Sequence, residues 1–288
     1  MGLVYEFVDV MKIKECWIGG VSFGGSIALR LAVSPQVKAR GLVLASIAIE
    51  ADAQLKTFVP RPLRIEFIGD SDLNGAFVLG AADSLGQLEC VSYAARYQSC
   101  ERGFGYKLGT MLDAEVRLIA ASGRGVLNNA GPFAVGTPML QHINRTLFSQ
   151  PLPVYRGDAW LPDLVVIMLG SNDFIENRNP NSERFIANYR YIFETIAKMY
   201  KPAKVPVLSL CGGETEEQRA PCTLVQRASD IYAAESDRQD IKFQLIRSGV
   251  LDVRTGDYGC LEHRSAAGQQ KLAAYLAPLI RPLLEKKK

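Results

Sequence analysis

Four short segments hold residues whose types could together act on an ester. Gly69-Asp70-Ser71 closes the apolar run Leu63–Ile68 and sets a hydroxyl at the tip of a strand-to-loop turn. A glycine permits tight backbone geometry there, and the turn aims the hydroxyl outward. Ser122-Gly123-Arg124-Gly125 closes the run Val116–Ala121, and its backbone N–H groups could face an anion. Gly170-Ser171-Asn172-Asp173 closes Leu164–Leu169 and offers an amide donor at Asn172. Only two histidines occur, His142 and His263, so any imidazole base is one of these. Taken singly, each segment is ordinary: a turn serine, a glycine turn, a post-strand asparagine, a structural histidine.

The elements that must position them alternate. Short apolar strands at Leu63–Ile68, Val116–Ala121, Leu164–Leu169, Val205–Leu210 and Ile241–Ile246 are separated by helical stretches. Gln87–Tyr97 and Tyr106–Leu112 surround helical material. Asn181–Tyr200 places Phe185, Tyr189, Ile192, Phe193, Ile196 and Met199 on one helix face. Thr223–Arg238 and Ala266–Leu284 are further helices. Leu164–Leu169 is apolar throughout, as a sheet buried on both faces requires. Strand, turn and helix in repetition predict a parallel sheet with helices on both faces. Sites in such sheets gather beyond the carboxyl ends of the strands, where three of these turns stand. The proline-bearing stretch Phe58–Pro62 reads as a linker, dividing a small segment, 1–60, from a domain at 61–288.

Composition narrows the function. Of 288 residues, 48% are hydrophobic and 22% charged, enough for a proper core. Lys+Arg 33 against Asp+Glu 30 leaves +3, too small an excess for a nucleic-acid binder that works by basic charge. No apolar stretch approaches the roughly 18–20 residues of a membrane span, and Met1 does not open a secretory signal. Among the six cysteines no C-x-x-C pair occurs, which argues against a zinc ribbon. Cys90/Cys100 and Cys211/Cys222 are spaced to close small loops in an oxidising compartment; in a reducing one all six would be thiols.

In the order serine, glycine, asparagine, histidine, each after its own strand, the four segments resemble the SGNH (GDSL-type) hydrolase superfamily over roughly residues 63–284. The stretches IEFIGDSDLNGAF, LIAASGRGVLNNAG, WLPDLVVIMLGSNDF and YGCLEHRSAAGQQKL are similar to carbohydrate esterase family 2, acetyl esterases that deacetylate plant polysaccharides. The resemblance implies a three-layer α/β/α serine esterase that removes acetyl groups from carbohydrate through an acyl-enzyme. It implies no cofactor or metal, no nucleic-acid or membrane partner, a monomer, and an extracellular location. Ser71 would be the nucleophile, with His263 as base. The N–H groups of Ser71 and Gly123 and the side-chain N–H of Asn172 would bind the oxyanion. Each such donor is worth roughly 2.7–4 kcal/mol in comparable enzymes. A lipid esterase or thioesterase of the same type, and a non-catalytic carbohydrate-binding relative, are the alternatives. Trp160, Phe174 and Tyr258 flank the motifs, as a sugar-stacking platform or as ordinary core and rim aromatics.

One departure stands out. Such enzymes usually place an aspartate three, sometimes two, residues before the histidine. Here those positions are Cys260 and Leu261, with Glu262 adjacent and Asp257 six residues upstream. The family implies a remedy, a Ser–His dyad whose ring is held by a backbone carbonyl; loss of the carboxylate could also mean a weak or inactive protein.

The first sixty residues hold a competing pattern. Gly20-Val21-Ser22-Phe23-Gly24 fits G-x-S-x-G after Cys16-Trp17-Ile18. KECWIGGVSFGGSIALRLAVSPQVKARGLVLAS, within residues 1–46, resembles the nucleophile elbow of α/β-hydrolases. About fifteen residues precede it, too few for the earlier strands of that fold. Alternatively, Ile27–Val33 and Gly41–Glu50 are strands remaining from the β-sandwich that precedes the catalytic domain in carbohydrate esterase family 2.

Overall fold

The structure, a computed structural model, describes residues 15–20, 38–44, 60–80, 94–131, 135–146 and 160–285, with Phe148, 150–152, Val154, Tyr155 and Gly157. The chain divides into two compact units, Met1–Val59 and Pro60–Lys288. In the first, β1 (Glu15–Gly20) and β2 (Lys38–Leu44) pair in parallel, from Glu15 opposite Lys38 to Gly20 opposite Leu44. Parallel neighbours need a crossover between them, as a strand–elbow–helix–strand reading requires. The strands of a β-sandwich are antiparallel. The elbow residues 21–24, Ile27–Val33 and residues 45–50 lie outside the described residues.

The second unit is built on five parallel strands: β3 (Leu63–Gly69), β4 (Ala114–Ala120), β5 (Leu164–Met168), β6 (Val207–Gly212) and β7 (Ile241–Ile246). Their spatial order is β4-β3-β5-β6-β7. Two single helical turns, α1 (Ser71–Asn74) and α4 (Glu216–Arg219), follow β3 and β6. Side chains alternate across the sheet. Ile65, Phe67, Leu164 and Val166 face one layer, made by α2 (Phe104–Leu112) and α6 (Ala266–Glu285). Ile68, Val165 and Ile167 face the other, made by α3 (Ser182–Met199) and α5 (Cys222–Glu235). Asn181 caps α3 by accepting the Arg184 N–H at 2.9 Å.

The boundaries of these strands and long helices shift by no more than three residues from those expected. β6 begins at Val207 and not Val205, because Pro206 has no N–H to give a ladder. Of Gln87–Tyr97, only a 3₁₀ turn at Ala94–Tyr97 falls among the described residues. From β3 the chain moves one way to β4, then returns past β3 to β5. This reversal opens a crevice beyond the carboxyl ends of β3 and β5, where doubly wound sheets hold their ligands.

Candidate active site

Gly69, the last residue of β3, lies opposite Ala120 on one side and Met168 on the other, so the turns after three adjacent strands open at one level. A Cβ on Gly69 would stand 2.7 Å from the Met168 carbonyl oxygen, so only glycine fits. Asp70 caps α1 by accepting the Asp72 N–H at 3.2 Å, and Gly75, at φ 73°, ends it. Ser71 therefore leads a tight turn at the mouth of the crevice. Its Oγ makes no hydrogen bond among the described residues.

Gly123 sits in the turn after β4 at φ 70°, a conformation that favours glycine. Its carbonyl accepts the Ala130 N–H at 2.8 Å, and Ser122 Oγ accepts the Asn74 amide at 3.0 Å, tying this turn to the Ser71 turn. A residue not singled out from sequence fixes the rest of the loop. The Asp173 carboxylate accepts three consecutive backbone N–H groups, from Val126 at 2.8 Å and from Leu127 and Asn128 at 2.7 Å each. Burial still pushes this carboxyl up to about 6, against those bonds. Only a glycine can stand at 125, since a Cβ there would meet Asp173 Oδ2 at 2.5 Å. The sequence signal was an acid directly after the asparagine.

Asn172 is buried between the two turns. Its amide nitrogen donates to the Arg124 carbonyl at 3.0 Å and to Asp70 Oδ2 at 3.1 Å, and Ser171 Oγ donates to the same Asp70 oxygen at 3.0 Å. Both amide hydrogens are thus occupied at rest. Burial, then the neighbouring Asp72 carboxylate, pushes the Asp70 carboxyl up to about 7; the Ser171 hydroxyl and Arg264 act the other way.

His263 reaches this edge from the loop before α6. Its Nδ1 lies 2.9 Å from the Leu261 carbonyl oxygen. A carbonyl only accepts, so Nδ1 carries the proton and Nε2 keeps its lone pair, the tautomer of a general base. The ring packs on Phe77, centroids 5.0 Å apart. Since Phe77 belongs to the segment just after α1, this contact brings the imidazole to the Ser71 turn; Ala266 N–H to Val78 carbonyl, 2.9 Å, does the same. Ser71 and His263 are not hydrogen-bonded to each other, a separation common in enzymes without substrate. Asp257 is turned elsewhere. Its carboxylate is buried against Lys271, 2.7 Å away, and accepts the Asp252 N–H at 2.9 Å.

His142 stands apart from this group. It is buried, stacked on Phe148 at 4.0 Å, with Nε2 on Thr137 Oγ1 and Nδ1 on the Phe148 carbonyl. Burial holds its imidazole below the usual value. The aromatic platform is not formed. Trp160 precedes β5, at the end of the sheet opposite Asn172, and donates to Glu115 Oε2 at 2.8 Å. Tyr258 is buried with its hydroxyl on Gln218, and Phe174 packs edge-on against Phe185 in the core. The cysteine pairing is half as expected. Cys211 and Cys222 are bonded, but Cys100 is a free exposed thiol, which excludes the Cys90/Cys100 pair. Cys260, three residues before His263, is also in a disulfide. Among the described residues no cluster could hold a metal ion, and no helix is long and apolar enough to cross a membrane.

No family model matches the chain. An acetylxylan esterase / glucomannan deacetylase from Cellvibrio japonicus is 26% identical over 229 residues, 75% of this chain and 58% of that protein. A family two carbohydrate esterase from Clostridium thermocellum, solved in complex with cellohexaose, superposes with a TM-score of 0.68 at 22% identity, over 80% of this chain and 67% of that one. The chain has the SGNH-hydrolase fold and resembles carbohydrate esterase family 2. An acetyl xylan esterase from Butyrivibrio proteoclasticus superposes on this chain with a TM-score of 0.67 at 15% identity, over 82% of it and 68% of that structure. The chain spans 58% of the length of the acetylxylan esterase from Cellvibrio japonicus and 22% of the length of a second curated relative, a cellulase/esterase from Acetivibrio thermocellus.

Proposed function

We propose that the protein is a serine esterase that removes acetyl groups from carbohydrate, with Ser71 as nucleophile and His263 as base. The observation that carries this is the contact of His263 Nδ1 with the Leu261 carbonyl at the mouth of the β3/β5 crevice, which leaves Nε2 as the nitrogen to take a proton. Ser71 Oγ attacks the acetyl carbonyl and its proton passes to Nε2. Negative charge develops on the carbonyl oxygen, within reach of the Ser71 and Gly123 N–H groups. The Asn172 amide joins them by exchanging Asp70 Oδ2 for the oxyanion. The intermediate collapses, the sugar hydroxyl leaves with the His263 proton, and an acetyl-enzyme remains. Water attacks it with His263 again as base, releasing acetate. The carbohydrate substrate rests on the relatives: one is named for deacetylating xylan and glucomannan, another was solved with cellohexaose.

The second reading, a carbohydrate-binding protein without turnover, is favoured by one observation: a disulfide-bonded cysteine stands where the orienting aspartate is expected. A fluorophosphonate probe followed by peptide sequencing separates the readings. Label on Ser71, with release of acetate from acetylated xylan, supports the esterase; sugar binding without label supports the alternative. Label on Ser22 would move the chemistry to the first unit.

A further inference from the structure

We propose that the buried Asp72–Arg264 ion pair is the brace that sets Ser71 against His263, aligning a base whose ring no carboxylate holds. This rests on the esterase reading above. Asp72 directly follows the nucleophile and Arg264 directly follows the base. Among the described residues, Arg264 heads the fully buried side chains by size. Its Nη1 pairs with Asp72 Oδ2 at 2.5 Å and its Nη2 donates to the Gly212 carbonyl at 3.2 Å, at the end of β6. Two residues far apart in sequence, each next to a reacting group, are thus joined by a charge-assisted bond inside the protein.

Three observations favour alignment over mere stability. A buried ion pair is poor at stabilising a fold, since an apolar pair of similar volume often does as well or better. Its presence therefore asks for another role. Second, the carbonyl that holds the His263 ring belongs to a strained turn. Leu261 and Glu262 are consecutive non-glycine residues at φ 51° and 56°. A ring hung from such a turn keeps its aim only if the residue after it is fixed, and Arg264 is that residue. Third, Gln269 of α6 locks the same joint. It donates to the Asp72 carbonyl at 2.9 Å and accepts the Phe104 N–H at 2.9 Å.

The pair also balances charge at the residue next to the base in sequence. The guanidinium faces Asp72, Tyr258 and Asp70; Phe77 covers the ring, and Glu262 next to it is exposed. Removing the Asp72 charge leaves the buried cation with Asp70 as its remaining acidic neighbour and more positive charge than before, which disfavours the imidazolium formed during attack. Removing the Arg264 charge leaves a lone anion, which favours it.

The test is the pH profile of kcat/KM for 4-nitrophenyl acetate in Asp72→Asn, Arg264→Gln and the apolar double variant Asp72→Leu/Arg264→Met. The single variants should move the rising midpoint by about one pH unit in opposite directions, down for Asp72→Asn and up for Arg264→Gln. The double variant should keep the wild-type midpoint yet lose kcat by about 10–100-fold with KM unchanged, the effect of a misplaced base. It also decides the matter alone if the single variants do not fold. Wild-type kcat in the folded double variant, or midpoints that move together, would overturn the brace. Turnover that needs Ser71 but ignores both residues defeats the brace only; turnover that survives Ser71→Ala defeats the esterase reading with it.

Discussion

Replacing Asp173 with asparagine should give a protein that is more stable above pH 7 and slower as an esterase. Three backbone N–H groups donate to this carboxylate, and each bond to a charged group is worth about 1.5–3 kcal/mol. Burial outweighs them, because the carboxyl is raised from 3.8 to about 6. At about 1.36 kcal/mol per pH unit, the ionised group costs the fold about 3 kcal/mol. The sign follows from proton counts. Below pH 4 both the folded and the unfolded chain hold the proton and nothing is lost. Between pH 4 and 6 the folded chain keeps a proton that the unfolded chain has released, so stability falls as pH rises; above 6 the full cost remains. Asparagine does not titrate. Near pH 4 the two proteins should be close to parity, since acid and amide alike turn one donor toward the Val126 N–H. Above pH 7 the variant should lead by up to about 3 kcal/mol. Urea unfolding at pH 4.5, 6 and 8 measures this. Catalysis should move the other way. The amide oxygen can keep Leu127 and Asn128, but the Val126 N–H loses its acceptor and the Gly123 loop relaxes. Full loss of one oxyanion donor costs about 10²–10³ in kcat, so partial displacement should cost about tenfold with KM unchanged. A variant whose stability deficit grows with pH would show that the three bonds win over burial. An unchanged kcat would show that Asp173 does not hold the oxyanion loop.

Asp70, raised to about 7, titrates with the same sign, so the wild-type protein should lose stability between pH 4 and 7 by more than Asp173 alone accounts for; stability rising over that window would contradict both shifts. Asn172→Ala should lower kcat by about 10²–10³ with little change in KM, checked by steady-state kinetics on 4-nitrophenyl acetate. Asp257→Asn should cost far less than the roughly ten-thousand-fold seen when an orienting aspartate is amidated, because its carboxylate serves Lys271 and not His263. A collapse of activity in that variant, with circular dichroism unchanged, would restore a carboxylate to the base.

The sheet was legible in the sequence because its strands are short runs of apolar residues whose polar turns follow them directly. Ser71, Gly123 and Asn172 each close such a run, so once the strands are parallel and adjacent the three must meet at one edge. The same logic, applied to Trp160, places it wrongly for a sugar platform. It precedes the five-residue strand β5 that Asn172 follows, which puts it about 17 Å away along the sheet. The Cys90/Cys100 pairing was not legible, since loop length says nothing about whether two Cα atoms come within the 4.4–6.8 Å or so that a disulfide needs. Cys211 and Cys222, at 5.3 Å, satisfy it because β6 and α5 bring them together. Asp72 and Arg264 were invisible as a pair for the same reason: separated by nearly two hundred residues, they are adjacent only in the fold.

That pairing bears on how His263, with no aspartate on its ring, would serve as the proposed base. In a serine triad the carboxylate fixes the tautomer and orientation of the ring and stabilises the imidazolium. The Leu261 carbonyl does the first, since its oxygen can only accept from Nδ1–H. It supplies a dipole and not a full charge for the second. Orientation then depends on the backbone of residues 260–264, and the chain holds that backbone at both ends. Cys260 is in a disulfide, and Arg264 is buried in an ion pair with Asp72, the residue after Ser71. Two fixed ends replace one orienting side chain. The arrangement preserves geometry while giving up electrostatic stabilisation, so variants that loosen either end should lower kcat before they raise KM.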